Sequence, residues 1–259
     1  MKHIFIINPV AGKGKGLEDS RGRLFYEYIR ILKNIKPKFF VIENVKGMLS
    51  KKHKSTLENI IKTLTNCGYN ITMKLINAKD YGIAQERERI FIVGFRKDLN
   101  HFYKFPDKEK NKVTLKDVIY DLQDTAVPFD PTNKNNNNNN NNEYFVGSFS
   151  PRYMSRNRVK DWSMQGYTIQ ASARQCQIHP SAPKMIKVEK DKYIFVPEKE
   201  SLYRRLTVRE CARIQGFPDN FKFFYKNIND GYKMIGNAVP VILSEKIALS
   251  IKKQLNCFS

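Results

Sequence analysis

Hydrophobic positions in the first hundred residues follow two rhythms. Ile4-Phe5-Ile6-Ile7 is a short apolar run cut off by Asn8-Pro9, and Phe39-Phe40-Val41-Ile42 is a second, closed by Glu43-Asn44. Runs of this length bounded by turn residues predict buried strands. Between them Leu24, Tyr28, Ile31, Leu32 and Ile35 recur at helical spacing from Arg21 until Pro37 stops the pattern. Leu57, Ile60, Ile61 and Leu64 repeat that spacing behind Ser55 and Glu58, which together read as a capping box, with Gly68 as the stop. Ile71, Met73 and Leu75 alternate with polar residues as in a half-buried strand, and Ile90 to Val93 form another after a polar loop. Strand, helix, strand, helix, strand is α/β order and predicts a largely parallel sheet. Polar residues at the exits of its strands are then the place for a site.

Near Asp121 the pattern breaks. Asn133-Lys134 and the run Asn135 to Asn142 offer nothing apolar to bury and read as a disordered insertion. From Tyr144 to about Tyr203, short β-like runs alternate with polar and basic residues, as in a smaller, irregular domain. Thr207 with Glu210 makes a capping box for a helix over 208–215. Pro240 then opens a last helix whose Leu243, Ile247, Ile251 and Leu255 lie four apart, a stripe suited to packing on the sheet.

Composition narrows the class. With 259 residues the chain can bury a real core in one or two domains. Its 46 Lys and Arg against 25 Asp and Glu leave a formal charge of +21, which draws it toward a polyanion; a lysine-heavy background composition accounts for the same excess. Cys67, Cys176, Cys211 and Cys257 are scattered singly, with neither metal-ligand spacing nor a disulfide framework, and fit reduced thiols in a cytoplasm. No apolar run approaches the roughly 20 residues of a membrane helix, and the opening residues lack a signal-peptide cleavage site. The reading is therefore cytoplasmic, with no metal and no membrane.

Three constellations carry chemistry. Glu43, at the end of an apolar run and beside low-dielectric walls, is placed to give or take a proton, although a lone glutamate there is equally a solvated cap. Arg87 and Arg89, within Gln85-Glu86-Arg87-Glu88-Arg89, are two apart; in an extended segment they project to one side as a fork for phosphate or a base edge. A charge run with internal Glu–Arg pairing is the plainer alternative. In Gly236-Asn237-Ala238-Val239-Pro240, the glycine admits a close backbone approach, the asparagine offers an amide and the proline starts a helix.

Taken in order, Glu43-Asn44-Val45, Gln85 to Arg89, Arg205 to Phe221 and Gly236 to Pro240 resemble the blocks of the DNA cytosine-5 methyltransferases. Between the second and third lie Ser148 to Trp162 and Thr168 to Met185, where that family places its target-recognition domain. These stretches look most like members that modify the inner cytosine of GGCC in bacterial restriction–modification systems. The resemblance implies an α/β, Rossmann-like sheet of the S-adenosylmethionine-dependent kind, lacking its first strands, plus a small irregular recognition domain. It divides the chain into a partial catalytic domain over 1–122, a recognition domain over 123–202 containing the 133–142 insertion, and a return to the catalytic domain over 203–259.

It also implies roles. A thiolate adds to carbon 6 of an extruded cytosine while an acid contacts ring nitrogen 3, and the activated carbon 5 takes a methyl group from S-adenosylmethionine. Glu43 matches that acid. Arg87 and Arg89 match the arginines that hold the base and its backbone, and Asn237 matches an asparagine that helps enclose the cofactor. Arg156, Arg158 and Arg174 match basic positions of the recognition domain, for guanine edges or for phosphates.

The sequence departs from the family where the nucleophile belongs. Ala11 to Gly22 looks like the loop that follows Pro-Cys-Gln, but Asn8-Pro9-Val10 stands in its place and Val10 can do no nucleophilic chemistry. The expectation is a chain that lacks the start of the family pattern and is inactive alone. It would be either a DNA-binding remnant or one half of a split enzyme, binding double-stranded DNA and a complementary N-terminal chain. Residues 3–16 also have a short similarity to the opening of diacylglycerol-kinase-like enzymes, without a Walker A lysine–serine or lysine–threonine pair. Nothing downstream supports a kinase.

Overall fold

A computed structural model describes residues 20–132 and 140–256. The strand expected over residues 4–7, the glycine–lysine loop after it, most of the asparagine run and Cys257 lie outside the described residues. In chain order the main elements are α1 (Ser20–Ile35), β1 (Phe39–Val45), α2 (Lys54–Asn66), β2 (Tyr69–Asn77), β3 (Glu88–Arg96), α3 (Leu115–Ile119), β4 (Val127–Pro128) and β5 (Glu143–Tyr144). Then follow β6 (Ile186–Glu189), β7 (Lys192–Ile194), α4 (Val208–Ile214), α5 (Ile228–Asn237) and α6 (Val241–Leu255). The chain condenses into two units. The first comprises residues 1–77, 88–107 and 246–259, and the second residues 78–87 and 108–245.

The first unit is a three-stranded sheet in the order β1-β3-β2. It is not parallel, as the element order had suggested. β3 lies between the other two and pairs antiparallel with both, Ile42 facing Ile92 and Met73 facing Ile92 from the other side. β1 and β2 share a direction because α2 carries the chain back between them, whereas β3 returns directly beside β2 after a polar loop. That is an antiparallel connection, which a residue pattern cannot distinguish from a crossover. Phe40, Ile42, Ile90 and Ile92 meet Tyr28 and Leu32 of α1 and Ile60 and Leu64 of α2 on one face. On the other, Phe95 packs on Tyr103, with ring centroids 5.6 Å apart, and Gln254 of α6 hydrogen-bonds both backbone groups of Lys104 at 2.8 Å.

The capping box expected at Ser55 does not form. α2 starts two residues earlier, with His53 at its N-cap, so Ser55 sits inside its first turn. Gly68 follows that helix at φ +93°, the stop the sequence foretold.

The second unit has little regular sheet. β4 pairs with β5, and β6 and β7 form an exposed hairpin. Its main core joins Leu115 and Ile119 of α3, Ile169, Ala173 and Cys176, and the inner faces of α4 and α5. A second cluster gathers Tyr153, Val159, Ile178 and Met185. The box at Thr207 forms as expected, its hydroxyl accepting from the Glu210 N–H and the Glu210 carboxylate accepting from the Thr207 N–H at 2.8 Å.

The asparagine run does not all lack a structural role. Asn141 and Asn142 are buried, and the Asn141 amide exchanges two hydrogen bonds with the backbone of Phe223. The Asn142 oxygen accepts from the Thr207 hydroxyl at 2.8 Å. Side-chain amides can replace apolar burial when every polar atom finds a partner, a possibility that counting apolar residues misses.

The apolar stretch 228–255 would be long enough to cross a membrane by length and composition. It is divided at Ala238–Pro240 into two helices, and Leu243, Ile247 and Ile251 are buried within the fold.

Gly94 on β3 faces Phe40, and a Cβ there would lie 2.2 Å from the phenyl ring. Phe40 is fully buried and pinned between Tyr28 and Tyr69. Gly94→Ala should therefore destabilise the fold by about 1–3 kcal/mol, the usual cost of overpacking, read as a lower urea midpoint at unchanged slope.

Candidate functional site

Glu43 and Arg89 come together through sheet register. Glu43 faces Phe91 across the β1–β3 ladder, so Arg89, two residues away on β3, is its diagonal neighbour on the same face. The Arg89 Nε lies 2.9 Å from Glu43 Oε1, and both side chains are largely shielded. Burial pulls the Arg89 guanidinium below its ordinary pKa, and the carboxylate opposite partly restores it. A preformed, nearly dry acid–guanidinium pair at the end of a sheet presents an acceptor and a donor fork side by side.

Arg87 takes different partners, so the expected two-arginine fork is not what the side chains make. Its guanidinium donates to the carbonyls of Ile169 at 3.1 Å, Gly236 at 2.9 Å and Ala238 at 3.1 Å. Gln85, also fully buried, completes the tie: its oxygen accepts from the Ile169 N–H at 3.0 Å and its amide donates to Gln215. Gln215 in turn donates to the Ala238 carbonyl at 2.7 Å. Three blocks distant in sequence are thus laced into one knot. The close approach expected at Gly236 is made by the backbone of 170–171; a Cβ on Gly236 would lie 2.4 Å from the Ala171 nitrogen. Gln85 and Gln215 were not singled out in the sequence, and their position inside the motif blocks is the signal that could have marked them.

The three arginines that the resemblance assigns to recognition divide by exposure. Arg158 is buried over the Tyr153 ring, its Nε donating to the Tyr153 carbonyl at 2.7 Å and an Nη to the Arg152 carbonyl at 3.0 Å. Arg156 and Arg174 are exposed. Arg156 stands 5.8 Å from the Tyr167 ring at the edge of a cavity of about 260 Å³, whose wall includes Thr168, Gln170, Gln175 and Gln177. Lys160 covers the same ring at 4.6 Å and pairs with Glu86 at 3.2 Å. Burial would raise the Glu86 carboxyl, but Lys160 and Lys79 hold it below the usual range. A cavity of arginine and amide groups is chemically suited to base edges, and the interleaved glutamines around Arg174 are the sequence signal for it. Asn237 is exposed in the last turn of α5.

None of the described cysteines is placed to act with Glu43. Cys67 ends α2, just before Tyr69, while Glu43 lies level with Lys74 across the sheet. Five residues of strand separate those levels, about 17 Å. Cys176 and Cys211 are buried sulfur to sulfur at 3.6 Å, and burial drives the Cys211 thiol well above its ordinary value, away from thiolate chemistry.

A shielded acid–arginine pair on one sheet and a basic, amide-lined cavity elsewhere in the chain are chemically suited to the donors and acceptors of nucleic-acid bases. Comparison with known proteins makes this specific. The profile of the C-5 cytosine-specific DNA methylases matches residues 9–253. Type II methyltransferase M.NgoPII of Neisseria gonorrhoeae is 61% identical over 250 residues, covering 95% of this chain and 73% of that protein. Type II methyltransferase M.HhaI of Haemophilus parahaemolyticus is 35% identical, covering 95% and 73%. Among solved structures, a prophage-encoded DNA modification methyltransferase from E. coli shares the fold with a TM-score of 0.68 and 24% identity, covering 98% of this chain and 79% of that one. The chain belongs to the C-5 cytosine-specific DNA methylase family.

Two outcomes follow from the geometry. Arg87→Lys cannot reach three carbonyls from one ammonium and should cost about 2–4 kcal/mol of stability, measured by chemical denaturation. His179 is wholly buried, with its Nδ1 at 2.7 Å from the Ser181 hydroxyl and its Nε2 at 3.4 Å from Glu210. Burial, reinforced by Arg204 and opposed by Glu210, lowers its pKa to about 4. Its contribution is fully present above the unfolded value of about 6.5 and is lost as pH falls from there toward 4, amounting to about 3 kcal/mol. The difference in urea midpoint between pH 7 and pH 4.5 should shrink in His179→Gln.

Proposed function

We propose that this chain supplies the base-holding and DNA-recognising parts of a cytosine-5 methyltransferase acting on duplex DNA, within GGCC, in a cytoplasmic restriction–modification system. The Glu43–Arg89 pair carries the reading. Cytosine presents an amine at position 4, a ring acceptor at nitrogen 3 and a carbonyl oxygen at position 2. A carboxyl group and a guanidinium side by side are complementary to that edge: Glu43 receives the amine and, when protonated, donates to nitrogen 3, while Arg89 donates to the carbonyl oxygen. Because the edge is hidden in the duplex, the base must be extruded at a cost of about a few kcal/mol, which a preformed pair helps to offset. Arg156 and Arg174 contact guanine edges or phosphates of the duplex, in a recognition segment over 123–202. Arg158 acts from its buried seat on the segment's backbone.

S-adenosylmethionine supplies the methyl group when bound. Of the residues assigned to it, Asn237 offers a single exposed amide, and the space beside it at Gly236 is filled by the 170–171 backbone. One amide does not make a nucleoside site, so no step is assigned to the cofactor on these residues. Proton handling at nitrogen 3 is the step this chain's own groups perform.

A second reading has its own observation. The sequence contains no Pro-Cys-Gln, and the described cysteines are buried or distant from the level of Glu43. On this reading the chain is one half of a split enzyme, and the attacking thiolate comes from a complementary chain.

A GGCC duplex carrying a fluorescent cytosine analogue at the inner position separates these steps. Binding should raise the analogue's emission, and Glu43→Gln should reduce that rise severalfold. Labelled S-adenosylmethionine should give no methyl incorporation until a Pro-Cys-Gln-bearing chain is added. Emission unchanged on binding would overturn base extrusion, and incorporation by this chain alone would overturn the need for a second thiol.

A further inference from the structure

The segment joining α4 to α5 reads Phe217-Pro218-Asp219-Asn220-Phe221-Lys222-Phe223-Phe224-Tyr225-Lys226-Asn227, an interleaving of aromatic and basic residues to which the methyltransferase reading gives no role beyond the block that ends at Phe221. Its inner residues anchor it. Phe223 is buried, and the Tyr225 hydroxyl donates to the buried Glu143. Arg209, fully buried in α4, donates to the carbonyls of Pro218 at 3.3 Å and Phe221 at 2.9 Å. Asn141 holds Phe223 by both backbone groups, and Arg213 grips Asp219 with two nitrogens at 2.8 Å. A loop tied at four points holds whatever it presents in a fixed place.

What it presents is two phenyl rings and two ammonium groups. Phe224 is 71% exposed and Phe221 48% exposed, with Lys222 and Lys226 exposed beside them. The Phe221 ring rests on Phe217 and Phe223, with centroids 5.1 and 5.0 Å away, so its outward side is a supported platform. Of the nearby carboxylates, Asp219 is neutralised by Arg213, and Asp230 at the start of α5 is exposed. Rigid aromatic faces flanked by cations match an unstacked nucleobase between phosphates. A phenyl ring can stack only on a base whose face is free, which favours an unpaired strand over a duplex. Docking by a second copy is opposed by a charge of +21 on each chain.

We propose that this loop is a further nucleic-acid-binding surface that takes an unpaired stretch of DNA, with a base stacked on Phe224, the more exposed ring, and its phosphates beside Lys222 and Lys226. It goes beyond recognition of the duplex and does not depend on which base pairs the cavity reads.

The test is anisotropy of the full chain with a short fluorescent oligothymidylate, beside a GGCC duplex, over a series of salt concentrations. Phe224→Ala should weaken oligothymidylate binding about tenfold, within the range for loss of one stacked base, and leave duplex affinity within about twofold. Phe224→Trp should bind at least as tightly as the parent chain. Lys222→Gln with Lys226→Gln should reduce the salt slope for the single strand by about 1.4. Failure of the parent chain to bind oligothymidylate, or parental affinity in Phe224→Ala, would overturn the proposal. So would a parent dimer in sedimentation that Phe224→Ala dissolves, since the occupant would then be a second copy. Equal affinity for the GGCC duplex and a scrambled duplex at matched salt would count against the recognition reading and leave this one standing.

Discussion

The buried guanidinium of Arg87 is the constraint on which the second unit depends. It carries a permanent charge into the interior, where an unpaired charge is prohibitive, and three backbone carbonyls compensate it. Those carbonyls belong to Ile169, between β5 and β6, and to the end of α5 at Gly236 and Ala238. Gln85 and Gln215 repeat the connection with neutral amides. Side chains from two motif blocks thereby fix the backbone of the other segments to hydrogen-bond precision. A stretch with almost no sheet, such as 145–203, can then hold a defined shape. Arg205 works in the same way nearby, seated over the Phe149 ring and donating to the carbonyls of Gly147 and Ser148.

This arrangement explains why a strongly basic chain buries so many arginines. Arg87, Arg158, Arg205 and Arg209 act inward on carbonyls and aromatic faces, whereas Arg156 and Arg174 remain at the surface. The formal charge therefore overstates the cation available to a polyanion. Planar guanidinium groups suit the inward task because their several donors can satisfy carbonyls from different segments at once, which a lysine ammonium cannot reproduce.

Much of the fold was legible because it rests on local rules. The spacing of Leu24 to Ile35 marked α1, Thr207 with Glu210 marked the start of α4, and Gly236 announced a close backbone approach. The antiparallel setting of β3 was not legible, since strand direction depends on which neighbour a strand meets rather than on its own alternation. Asn141 and Asn142 were hidden inside a low-complexity run whose composition gives no hint that its end is bonded to Phe223 and Thr207. At the candidate site, the neighbourhood of Glu43 and Arg89 followed once the strands were paired. The separate engagement of Arg87 did not, because two arginines at strand spacing look identical whether they face a ligand or a carbonyl.

In the function proposed above, Glu43 and Arg89 receive a cytosine that has left the helix. A crystal structure of the chain with a GGCC duplex tests this most directly. The account predicts one cytosine rotated out of the stack, its amine and ring nitrogen within hydrogen-bond distance of the Glu43 carboxyl group and its carbonyl oxygen facing Arg89. A complex in which every base stays stacked, or in which the extruded base lodges away from that pair, would contradict it.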